Sequence, residues 1–150
     1  MITAKIILFK NHEKNLVDKL IKFFTNSNFR HAGIVFPVNT SNLIFESTGW
    51  SNGVISNRKL SDVPIGDYIS IDLELDHACF DFAMESIGKK YDWRGFFLWN
   101  FNRDVKSRFY CFEFILEIVK RDPKYQKLAS VLKNKSVSGQ DIYNITYEIC

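Results

Sequence analysis

Hydrophobic and polar positions alternate between two rhythms along the chain. Residues 2–9, ITAKIILF, are an apolar, β-branched run that predicts a strand. Leu16, Val17, Leu20, Ile21 and Phe24 then recur at three- and four-residue intervals, which predicts an amphipathic helix over 13–24. The polar TNSN at 25–28 ends it. FRHAGIVFPV (29–38), NLIFEST (42–48) and GVISNRKL (53–60) read as successive strands, with GWSNG as the turn before the last. VPIGDYISIDLEL (63–75) supplies a turn and a further strand alternating through Tyr68, Ser70 and Asp72. DHACFDFAMESIGK (76–89) predicts a helix with Asp76 at its N-cap and Gly88 near its end.

Residues 90–107 read as an irregular aromatic segment, followed by a helix over 109–121 that RDP stops. A short helix near 124–132 and one helical turn in SVSGQDIYNIT, with a Ser N-cap, complete the reading. Helix, a run of strands, then helices is an α+β order, not alternating βαβ units.

Composition narrows the function classes. A chain of 150 residues suits one domain, 1–150. The net charge of +3 comes from basic residues spread through both halves, so no nucleic-acid partner is expected. The 3 cysteines, Cys79, Cys111 and Cys150, lack framework spacing, which favours reduced thiols and a cytoplasmic compartment. MITAKIILFKNHEKN has no small-residue cleavage site and reads as a strand, not a signal peptide. No apolar stretch reaches the roughly 18 residues of a transmembrane helix.

The candidate chemistry lies in SRFYCFEFILEIV, residues 107–119, where Cys111 stands in the first turn of an apolar helix. Thiol catalysis needs a thiolate, an imidazole to exchange the proton, and a polar group to orient that imidazole. A helix N-terminus favours a thiolate and offers a backbone donor to an oxyanion. His31 opens the strand HAGIVF, and Glu46 ends LIFE. If the two strands are antiparallel neighbours, His31 and Glu46 stand side by side. Taken singly, Cys111 is equally a small buried hydrophobe, His31 a strand-start histidine and Glu46 a surface charge. Composition and spacing alone do not join the three.

A resemblance does join them. TNSNFRHAGIVF, IFES, KKYDWRGFF and RFYCFEFILEIV, in that order, resemble the circularly permuted papain-like hydrolases of the NlpC superfamily, in particular the YiiX-like group. The match spans roughly residues 20–143. It implies a permuted papain-like fold, with a small antiparallel β-barrel or sheet packed against helices. It also implies Cys111 as nucleophile, His31 as general base and acid, and Glu46 as the orienting member, in the permuted order His, Glu, Cys. Tyr91, with Trp93 beside it, matches the family's oxyanion and substrate region. Glu113 matches a family Glu whose role the resemblance does not assign. VSGQDIY resembles the family's closing helix start. Phe112 departs from the pattern, since the family usually carries Ser after the nucleophile.

The implied activity is hydrolysis of an amide or ester through a Cys thioester, on a small-molecule, peptide or lipid-like substrate. The alternatives are acyl transfer on the same fold and a non-catalytic binding module. No cofactor is expected. His77 and Cys79 do not suggest a metal pair, because positions i and i+2 on a helix face apart and no second ligand pair is present at usual spacing. His12 is expected to be solvated in a polar turn. The six aromatics of 91–101 form a packed loop or an apolar wall beside the cleft. Arg94, Arg103 and Arg108 are exposed charges, or partners for a carboxylate or phosphate.

Overall fold

The computed structural model describes residues 1–14, 16–92, 108–126 and 137–147. Five strands form its antiparallel body: β1 (Ile2–Lys10), β2 (Phe29–Val38), β3 (Ser41–Thr48), β4 (Gly53–Lys59) and β5 (Tyr68–Leu75). Two short strands, β6 (Lys90–Tyr91) and β7 (Arg108–Phe109), extend the sheet to seven, in the order β5-β1-β2-β3-β4-β6-β7. The sheet is open, not a closed barrel, and β6 pairs with β7 in parallel. These last two strands were not expected from the sequence, since two residues are too few for any periodicity to register.

The central strands are apolar on both sides, which is why ITAKIILF reads as a continuous run rather than an alternation. Ala4, Ile6 and Leu8 face the main core, while Ile7 and Phe9 face a smaller one with Val35, Ile44 and Val63. The helices are α1 (Leu16–Thr25), α2 (His77–Glu85), α3 (Cys111–Val119) and α4 (Gly139–Tyr147). Asp76 caps α2 as expected, its side chain accepting from the Ala78 N–H at 2.9 Å. Residues 123–126 are helical, and the rest of the short helix expected near 124–132 lies outside the described residues. The closing helix runs nine residues, longer than the single turn read from the sequence.

α3 is apolar around most of its circumference, with Phe112, Phe114, Ile115, Ile118 and Val119 all at 0% exposure. A helix of this kind belongs in a core, and α3 lies against β2, β3, α2 and α4. Phe112, the departure from the family pattern, is accommodated by a glycine on the facing helix. A Cβ at Gly139 would come within 2.9 Å of the Phe112 ring and 2.6 Å of the Phe29 Cβ. The large residue on one helix and the missing side chain on the other are two halves of one contact.

Gly139→Ala is therefore expected to destabilise the fold by about 1–3 kcal/mol through overpacking, and Phe112→Ala by about 3–5 kcal/mol through the cavity it leaves. The double variant should lose less than the sum, because the new methyl enters the vacated space. Equilibrium urea denaturation of the three variants checks this, and strictly additive losses would refute the pairing.

Candidate active site

β2 and β3 bring His31 and Glu46 together by register. Ile34 pairs with Phe45 and Val35 with Ile44. Stepping outward from Val35 and Ile44 on their shared face leads through Gly33 to His31 on β2, and to Glu46 on β3. Gly33 presents no side chain between them. The His31 Nε2 lies 2.7 Å from the Glu46 Oε2.

Glu46 has a second partner. The Arg58 Nη2 donates to the same Oε2 at 3.1 Å. β4 pairs Arg58 with Ile44 and Ile55 with Glu46, with an irregularity between the two pairs. That irregularity sets the guanidinium beside the carboxylate. The Arg58 guanidinium carbon lies 5.1 Å from the Phe9 ring centroid, and the Phe9 and His31 centroids are 5.4 Å apart. Phe9, His31, Glu46 and Arg58 thus form a closed cluster in which Glu46 is only 4% exposed.

Cys111 reaches this cluster from the start of α3. Tyr110 is the N-cap, with extended φ −87° and ψ 167°, and Cys111 is the first helical residue, 3% exposed. The imidazole of His31 is bonded to Glu46 and lies within the influence of the Cys111 thiol. With Nε2 on Glu46, the other ring nitrogen, Nδ1, is the one left for the thiol. Burial alone would lower His31. Interactions with Cys111 and then Glu46 outweigh it and raise the imidazole from 6.5 to about 9.

The segment leading to Cys111 is anchored on several sides. The Ser47 hydroxyl, next to Glu46, donates to the Phe109 carbonyl at 2.7 Å. The Tyr110 hydroxyl accepts from the Val137 N–H at 2.6 Å and donates to the Val137 carbonyl at 3.1 Å. The Tyr110 N–H donates to Glu113 at 3.4 Å. Glu113 thereby acquires a structural position in the first turn of α3. Burial pushes its carboxyl up to about 7, and the nearby Asp92 adds to this. Tyr91 is buried, and its phenol is pushed up first by burial and then by Cys111, which places it in the electrostatic neighbourhood of the thiol.

The remaining candidates lie elsewhere. Cys79 is fully buried in α2, its thiol pushed up to about 12 by burial, with Asp122 and Asp76 contributing. His77 begins the same helix. Among the described residues no group of three or more His, Cys, Asp and Glu side chains is placed to hold a metal ion. His12 is exposed, as expected, and lies 3.3 Å from Asp67, where the end of β1 meets the turn before β5. Arg108 is exposed on β7. Trp93, Arg94, Arg103, Cys150 and the aromatic wall over 93–101 lie outside the described residues. Arg58 is the member of the cluster that the sequence reading missed. Strand alternation puts it on the Ile44 face, but the irregularity that brings it to Glu46 has no sequence signal.

Comparisons with known proteins bear on the fold and the family. The profile of a family described as permuted papain-like amidase enzyme, YaeF/YiiX, C92 family, matches residues 6–146. Comparison with curated protein sequences gave no match. Among solved structures, YiiX from Escherichia coli O157:H7, described as a metalloprotein, superposes with a TM-score of 0.65. The superposition covers 95% of this chain and 91% of that one, at 19% identity, a level that speaks to the fold. On the family match over nearly its whole length, the chain belongs to the YaeF/YiiX family of permuted papain-like amidases.

Proposed function

We propose that the protein is a cysteine amidase or acyl hydrolase in which Cys111 is the nucleophile, His31 the proton carrier and Glu46 the residue that orients it. The observation that carries this reading is an imidazole bonded to a buried carboxylate on adjacent strands and subject to the thiol at the start of α3. The thiolate attacks the substrate carbonyl carbon and its π electrons move onto oxygen. The resulting oxyanion is met by the Cys111 backbone N–H, which as a first-turn amide has no intrahelical partner. Tyr91, whose phenol feels the Cys111 thiol, is the proposed second donor. His31, as imidazolium, protonates the departing amine or alkoxide as the C–N or C–O bond breaks, leaving a thioester. Neutral His31 then takes a proton from water as the water oxygen attacks the thioester, and returns it to the sulfur as the acid leaves. An acceptor other than water would make the same sequence an acyl transfer. Arg58 acts through Glu46 as a positioning residue, neutralising and holding the carboxylate that holds His31.

Iodoacetamide at about pH 6 should label Cys111, beside the imidazole, while sparing Cys79, whose thiol is pushed up to about 12, with His31→Ala slowing the labelling by at least about tenfold. Mass spectrometry of the labelled peptides reads this directly. Equal, slow labelling of both thiols in wild type and variant would remove the nucleophile and leave a binding module.

The raised imidazole also sets a pH window. Its contribution to stability is complete below about 6.5 and is lost as pH climbs through about 9. On a chromogenic acyl ester, kcat/KM should fall on an alkaline limb near pH 9 as the acid form of His31 disappears. Glu46→Gln should move that limb, and the His31 NMR titration, downward. Arg58→Met should reduce kcat/KM without lowering the His31 midpoint, since it removes a neighbouring positive charge. An unshifted limb in Glu46→Gln would break the assigned roles.

A further inference from the structure

One end of the sheet carries several large apolar side chains exposed to solvent. Strand register defines that end. Phe9, near the end of β1, pairs with Tyr68 at the start of β5 and with His31 near the start of β2. Thr48, at the end of β3, pairs with Gly53, at the start of β4. The turn before β5, the β1–β2 connection containing α1, and the β3–β4 turn therefore all emerge on the same side. Each bears large apolar groups: Ile65 is 97% exposed, Trp50 99%, and on α1 Leu16 is 72%, Phe23 81% and Leu20 40%. Leu16, Leu20 and Phe23 follow one another at i, i+4 and i+7, one stripe of the helix. Strands β5 and β3 are separated by β1 and β2, so the turns bearing Ile65 and Trp50 leave the sheet about 15 Å apart.

The chemistry around these groups selects their occupant. Lys14, Lys19 and Lys22 are exposed on and beside α1. Lys22 is paired with Glu13 and His12 with Asp67, so part of the local acidity is already neutralised. Between residues 10 and 30 the basic side chains Lys10, Lys14, Lys19, Lys22 and Arg30 outnumber Glu13 and Asp18. The apolar groups stand on two separate turns and on α1, which also carries exposed lysines. A protein partner's packed core would ask for a contiguous, shape-matched patch. A fluid surface accepts isolated projections, with tryptophan at its polar boundary and lysines toward anionic headgroups.

We propose that this end of the molecule docks on an anionic lipid bilayer, with Trp50, Ile65 and the Leu16–Leu20–Phe23 stripe entering the interface and Lys14 and Lys19 meeting the headgroups. The proposal stands independently of the assigned chemistry. It has a bearing on it, however, because His31 sits at this same end, beside Phe9. A bilayer held there would bring acyl groups to the cluster.

The test is co-sedimentation of the full chain with vesicles of phosphatidylcholine mixed with phosphatidylserine, against pure phosphatidylcholine. Binding to the mixed vesicles that weakens with added salt supports the proposal. Trp50→Ser combined with Ile65→Ser should weaken it by at least about tenfold, the loss expected for withdrawing two large apolar groups from the interface. Lys14→Glu with Lys19→Glu, a pair of exposed charges that leaves the core untouched, should lower binding to mixed vesicles selectively. Absence of sedimentation with mixed vesicles would overturn the proposal, as would binding indifferent to both double variants. Self-association in light scattering that Trp50→Ser and Ile65→Ser abolish, without vesicle binding, would also overturn it and identify a second copy as the occupant.

Discussion

A carboxylate with almost no surface left to water keeps its charge only if cations meet it, and Glu46 is met by two. That requirement organises the site. The imidazole of His31 and the guanidinium of Arg58 share one oxygen, and the ring of Phe9 lies against both. Removing either cation would leave the buried charge half compensated. The result is a histidine whose orientation is dictated by its neighbours, not by its own rotamer freedom. Its second nitrogen is then committed to whatever the fold delivers on the other side.

What the fold delivers is the start of α3. Its apolar circumference places it in the core, and its N-terminus is tied down by Tyr110 on Val137, by Glu113 on Tyr110, and by Ser47 on Phe109. The bonds from Ser47 and Glu46 leave adjacent residues of β3 toward the two halves of the site. A displacement of β3 would therefore shift the thiol and the imidazole together. Phe112 belongs to the same arrangement, because its ring fills the space that Gly139 leaves open at the head of α4.

Much of this was legible in the chain. The strands at 29–38 and 42–48 follow from apolar runs bounded by turn residues, and the Asp76 cap follows from its place before an apolar helix. The pairing of His31 with Glu46 needed only the inference that two consecutive strands lie antiparallel. Joining Cys111 to them took more than sixty residues of intervening chain, and only the family resemblance spanned that distance. Arg58 stayed hidden because the irregularity between β3 and β4 shifts the register by a residue. Such a shift depends on the whole sheet, not on the local sequence. The two short strands β6 and β7 were hidden for a related reason, since their hydrogen bonds exist only because β4 is already in place.

The permuted order has a consequence for the timing of assembly. As the chain leaves the ribosome, the strands bearing His31 and Glu46 emerge early and can pair with β1 and with each other. Cys111 follows some sixty-five residues after Glu46, and its helix settles only once residues 137–147 are there to receive Tyr110 and Phe112. The imidazole and its carboxylate can thus be in place while the thiol is still absent. A nascent chain can carry the imidazole and its carboxylate well before the thiol, so the three side chains of the proposed site come together only at the end of folding.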